Sequence, residues 1–129
     1  MIFSNNYKLR PRKVISLALL QLPLYTLNEP PFGIACLKSY LSKFSISAKC
    51  FDLNMMLMSK KILSREYWFP PLNQCWWHKE KFESLKPFIE PYIDNFLKEK
   101  IIGKFNLVGL GVSSFASYNM AMFIANMIK

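Results

Sequence analysis

A chain of 129 residues, 52% hydrophobic, 16% aromatic and 19% charged, is a one-domain length of globular protein, and this composition excludes disorder and repeat architectures. The net charge of +9 raises a nucleic-acid role. But from Lys79 to Lys104 the lysines alternate with Glu80, Glu83, Glu90, Asp94 and Glu99, the pattern of a solvated helix face, so no nucleic-acid partner is expected.

Residues 1–12 read as a basic tail and residues 13–129 as the domain. The charged stretch to Lys13 followed by Val14–Leu20 imitates a signal peptide. No small-x-small cleavage site follows, only Asn28-Glu29-Pro30-Pro31, so a tail and a buried strand are expected. No apolar run approaches the roughly 18 residues of a spanning helix. Three cysteines, Cys36, Cys50 and Cys75, without repeated spacing argue against a disulfide framework and for a reducing, cytoplasmic setting. Cys75-Trp-Trp-His78 supplies two of the four ligands of a structural metal site, so no metal is expected there.

Lys13–Leu22, nearly all apolar, predicts a strand covered on both faces. Leu22–Pro31 follows as a long turn. Phe32–Phe44 predicts a helix with Ile34, Leu37, Leu41 and Phe44 on its apolar stripe and Pro30 and Pro31 at its start. Ser45–Leu53 alternates polar and apolar residues and predicts an edge strand. "NMMLMSKKILS" reads as a short helix, its methionines as packing. In Lys79–Lys104 a helical stripe runs through Phe82, Leu85, Phe88, Ile89, Ile93, Phe96 and Leu97. Pro87 and Pro91 predict a break, with a longer second helix from about Glu90. Asn106–Ser113 predicts a third strand. Ala116–Lys129 predicts a last helix carrying Met120, Phe123, Ile124 and Met127 on one side.

The order β-α-β-α-α-β-α predicts an α/β doubly wound parallel sheet, cut after about three strands, in order 2-1-3. Such sheets usually hold about five strands, so the chain is expected to stop inside its domain. That leaves the third strand with an unpaired edge and makes the isolated chain poorly soluble or oligomeric. Ligands of these sheets bind beyond the carboxyl ends of the strands at the switch point. Here that point lies between strands one and three, where Leu22–Pro31 and Ser113–Ser117 meet.

Pro30-Pro31-Phe32-Gly33, Ala35–Leu41, Asp52-Leu53-Asn54, Val108-Gly109-Leu110-Gly111 and Met127-Ile128-Lys129 stand in the order and at the spacings of a known domain. The chain resembles the amino-terminal, B12-binding domain of B12-dependent radical SAM enzymes over residues 13–54 and 105–129. The family's strings are "PPLG", "LAAYL", "D-x-N", "VGxS" and a helix ending "IK". The resemblance implies a flavodoxin-like domain that holds cobalamin over its strand ends and feeds a radical SAM domain, in cis or in trans. S-adenosylmethionine and a 4Fe-4S cluster would belong to that domain, whose C-x3-C-x2-C signature the three cysteines here do not form. The intact enzyme would carry out radical chemistry, often methyl transfer, with no catalytic residue in this chain.

The histidine of D-x-H-x-x-G, which ligates cobalt in classical cobalamin domains, has no counterpart in the first loop, and Gly111 stands where "VGxS" has serine. Cofactor-binding candidates are Tyr25, Thr26 and Asn28 in the first loop, for the corrin's amides. Asp52 and Asn54 end strand two, where a helix N-cap is an equal reading. Gly109 and Gly111 admit a bulky ligand or pack against a helix, and Ser113 and Ser114 replace the missing serine. Trp68, Trp76 and Trp77 line a cleft or belong to the core. The alternative to a cofactor domain is a non-catalytic binding or interaction module with a degenerate form of this fold. A response-regulator reading fails, because Asp52 lies on an edge strand and no acidic pair precedes the first helix.

Overall fold

A computed structural model describes residues 14–129; the basic tail of residues 1–12, and Lys13, lie outside the described residues. Three strands form one sheet: β1 (Ser16–Gln21), β2 (Ser47–Asp52) and β3 (Leu107–Gly111). The order is β2-β1-β3, with both pairings parallel. Ser16 Oγ donates to Asn106 Oδ1 and accepts from the Asn106 backbone N–H, both at 3.1 Å, and so fastens the start of β1 to the start of β3.

Helices α1 (Phe32–Ser42), α2 (Leu53–Ser59), α3 (Lys79–Phe96) and α4 (Tyr118–Ile128) flank the sheet. One face, carrying Ala18, Leu20 and Leu22 of the central strand and the residue after it, packs with Leu57 of α2, Ile89 and Ile93 of α3 and Met120 and Ile124 of α4. The opposite face carries Leu19, Cys50 and Gly109 and is covered by α1, whose Ile34 carbonyl accepts from Cys50 Sγ at 3.5 Å. This is an α/β open parallel sheet, with the strand order and helix placement of a three-strand flavodoxin-like arrangement. Among the described residues no helix is long and apolar enough to cross a membrane.

Two sequence expectations do not hold. Helix α3 runs through Pro87 and Pro91 without a break and ends in a single π turn, Leu97–Ile101. Both prolines are exposed, so the carbonyls they leave unbonded face water. Two interior prolines cost about 3 kcal/mol each. Phe82, Leu85, Ile89, Ile93 and Phe96 are all buried along α3, and at roughly 1.5–3 kcal/mol per side chain that burial wins. Phe88, expected on the same stripe, points outward and is 68% exposed.

The α1 stripe is the second. Ile34 is buried and Leu41 half-buried, but Leu37 and Phe44 are exposed. Helix α1 rests on β2 and β1 and makes no comparable contact with another helix, so its far side has nothing to bury against.

Candidate functional site

The carboxyl ends of β1 and β3 open onto one cleft. Beyond β1, Leu22 and Pro23 are buried, Leu24, Tyr25 and Leu27 half-buried, and Thr26 and Asn28 exposed. Beyond β3, Ser113 and Ser114 are exposed, and Ser114 Oγ accepts from the Ala116 N–H at 3.2 Å, starting the 3-10 turn Phe115–Ser117. Residues 24–28, Ser113 and Ser114 share a cavity of about 470 Å³ with Trp68 and Phe69. That volume lies within the range of small-molecule sites. The two loops therefore meet at the switch point between β1 and β3.

Its lining combines apolar Leu24, Leu27, Trp68 and Phe69 with polar Tyr25, Thr26, Asn28, Ser113 and Ser114, and among the described residues no charged side chain lines it. Such a lining suits a largely neutral ligand that has both apolar and hydrogen-bonding surface.

The first loop is held from below by Asn54, which is fully buried. Its Oδ1 accepts from the Tyr25 N–H at 3.1 Å and from Trp68 Nε1 at 2.6 Å. Its Nδ2 donates to the carbonyls of Tyr25 at 3.1 Å and Thr26 at 3.5 Å. Asn54 thus positions the cleft from beneath it. Asp52 caps α2, accepting from the Met55 N–H at 2.9 Å. Burial pushes its carboxyl above the usual aspartate range, and bonds from the Met55 and Asn54 amides offset part of that rise.

The two glycines serve packing. A Cβ on Gly109 would stand 2.8 Å from Leu19 Cδ2, and one on Gly111 3.0 Å from the Leu20 carbonyl oxygen. Both lie on the sheet face that α1 covers, away from the cavity wall. Of the nine candidate residues, the structure brings Tyr25, Thr26, Asn28, Ser113 and Ser114 to the cavity surface. Asp52, Asn54, Gly109 and Gly111 stand in its scaffold.

Trp68 is both core and cleft lining, while Trp76 is core alone. Leu24, Leu27 and Phe69 escape a search for polar site residues; only Phe69 stands in the aromatic run before Pro70 and Pro71, and the two leucines carry no signal beyond their place in the first loop. Buried Gln21 also escapes it. Its amide donates to the Leu22 carbonyl at 3.3 Å beside Gly111.

A second groove, of about 610 Å³, separates α3 from α4. Its Lys86 ammonium lies over the Phe82 and Phe123 rings and pairs with Glu83 at 2.9 Å. Cys36, Cys50 and Cys75 are unpaired, and among the described residues no three His, Cys, Asp or Glu side chains gather as a metal site.

No family model, curated protein or solved structure matches the chain.

Proposed function

We propose that the chain is the cobalamin-binding-type portion of a radical SAM enzyme, acting in the cytoplasm, with the corrinoid in the cleft between residues 24–28 and Ser113–Ser114. The observation that carries this reading is the cleft at the strand ends, whose described lining holds four apolar side chains beside four hydroxyl residues and one amide, and no charge. The donor set fits the group. A corrin is a broad macrocycle with an apolar face and a periphery of amide side chains, which Tyr25, Thr26, Asn28, Ser113 and Ser114 can meet by hydrogen bonds. Trp68 and Phe69 add apolar surface to the cleft, and Asn54 holds the loop in place. When bound, the cofactor supplies a cobalt centre able to carry a methyl group. S-adenosylmethionine and the 4Fe-4S cluster belong to a radical SAM domain in cis or in trans. The sequence motifs in their order are the second support.

Equilibrium dialysis of the full chain against hydroxocobalamin, read by visible absorption, tests the proposal. Stoichiometric binding that is lost when Ser113→Trp fills the cleft is expected; Ser113 is exposed, so that variant keeps the fold. A folded chain that retains no corrinoid refutes it. The second reading, a non-catalytic interaction module, then stands. The exposed Phe32, Tyr40 and Phe44 of α1 and the residues after it favour it, because no described residue covers them.

A further inference from the structure

Among the described residues strand β3 is an edge, and its backbone direction shows which groups it turns outward. The Asn106 N–H donates to the Ser16 carbonyl at 3.0 Å, and β3 then runs parallel to β1. In such a ladder alternate residues turn their amides to the same neighbour. Val108 and Leu110 therefore face β1, and Leu107, Gly109 and Gly111 present N–H and C=O groups outward.

We propose that this edge pairs with itself: β3 of one copy joins β3 of a second copy, antiparallel, about a two-fold axis through Gly109. In that register Gly109 faces the partner's Gly109, and Leu107 faces the partner's Gly111. Every outward-facing residue meets an outward-facing residue, and each such pair exchanges two hydrogen bonds. The register also matches large to small twice, because Leu107, 55% exposed, lies over a glycine that has no side chain.

The other face agrees. Val108 stands opposite the partner's Leu110, and Asn106 opposite the partner's Val112. On that face lies a groove of about 450 Å³ between β3 and α4, lined mainly by apolar residues such as Ile101, Val108, Leu110 and Ile128, with Asn106 and Lys129 also on its surface. The partner's Leu110 and Val112 project toward it, and by symmetry each copy fills the other's groove. Val112 is 49% exposed in the single chain. Charge permits the pairing despite the net +9. Along the described chain the nearest lysine before β3, Lys104, falls opposite the partner's Ser114, and Lys129, which lines the groove, meets the partner's uncharged Leu110 and Val112.

Sedimentation velocity of the full chain tests this. The expected species is a dimer of twice the 15.1 kDa chain mass. Leu107→Pro removes an outward N–H and leaves the ladder to β1 intact, and Val112→Lys places a like charge beside Lys129 in the partner's groove. Each is expected to weaken dimerisation more than about tenfold. Val108 and its opposite Leu110 form a close, non-hydrogen-bonded pair, so a Val108→Cys, Leu110→Cys double variant is expected to oxidise to a covalent dimer while Val108→Cys alone is not. A monomer at every concentration overturns the proposal. So does an assembly unchanged by Leu107→Pro and Val112→Lys, or equal cross-linking by the single and double cysteine variants.

Discussion

The indole N–H of Trp68 and the backbone N–H of Tyr25 both end on one oxygen, Asn54 Oδ1, at 2.6 and 3.1 Å. A single buried carboxamide therefore joins Trp68 in the cleft lining to the loop that lines the same cleft. The bonds cross 14 and 29 residues of sequence, so the loop's position depends on α2 and on the turn at Arg65–Trp68 as well as on its own prolines.

Asn54→Ala is expected to cost about 3 kcal/mol of stability, because it leaves two donors and at least one carbonyl buried without partners. Chemical denaturation measures it. Asn54→Asp keeps Oδ1 as acceptor but loses the Nδ2 bond to the Tyr25 carbonyl and buries a charge. Its stability is expected to fall further as pH rises through the carboxyl's pKa.

The apolar run of β1, the period-two β2 and the turn residues between them were legible in the sequence, because burial on two faces or one leaves a pattern in the side chains themselves. The sheet order and the meeting of residues 22–31 with Ser113 and Ser114 followed from topology. What was not legible depended on competition between distant terms. Pro87 and Pro91 reported local cost only, and the burial of Ile89 and Ile93 against the sheet outweighed it. Asp52 and Asn54 looked alike in sequence, two polar residues at a strand end. One turned to the α2 backbone and the other to a loop 29 residues away. Phe69 carries no polar mark, so nothing in its own chemistry announced a cleft.

Gly111→Ala is expected to destabilise the fold more than Gly109→Ala. The Cβ of the first meets the Leu20 carbonyl oxygen at 3.0 Å, which can move only with the central strand. The Cβ of the second meets Leu19 Cδ2 at 2.8 Å, the far end of a rotatable side chain. Overpacking of this kind costs about 1–3 kcal/mol. Paired thermal melts check the order, and equal melting temperatures would contradict it.

Asp52 gives a pH dependence of defined sign. Its folded pKa is raised, chiefly by burial, so between the unfolded and folded values the folded chain holds more protons. This residue's contribution to stability is therefore greatest below its unfolded pKa and falls as pH rises through the folded one. Asp52→Asn keeps an oxygen to accept from the Met55 N–H but removes the titration. The wild-type chain is expected to gain stability relative to Asp52→Asn as pH is lowered through the usual aspartate range, near about 4. Asp52→Ala, which loses the cap, is expected to cost about 1 kcal/mol. Denaturant midpoints for the three chains across pH give both slopes.

The visible spectrum of corrinoid bound to the chain is expected to show no histidine on cobalt. The sequence has one histidine, His78, and it stands at the start of α3, exposed and outside the residues that line the cleft. The cleft offers hydroxyls and one amide, which are hydrogen-bonding groups and weak ligands beside an imidazole. His78→Ala should therefore leave both the spectrum and the dissociation constant unchanged, while Asn54→Ala, which frees the Tyr25–Thr26 segment, should weaken binding without moving the absorption bands. That contrast separates a residue that positions the loop from one that ligates the cofactor. A histidine-type spectrum abolished by His78→Ala would place His78 at the cobalt. The corrinoid would then lie toward the start of α3 rather than between Tyr25 and Ser113.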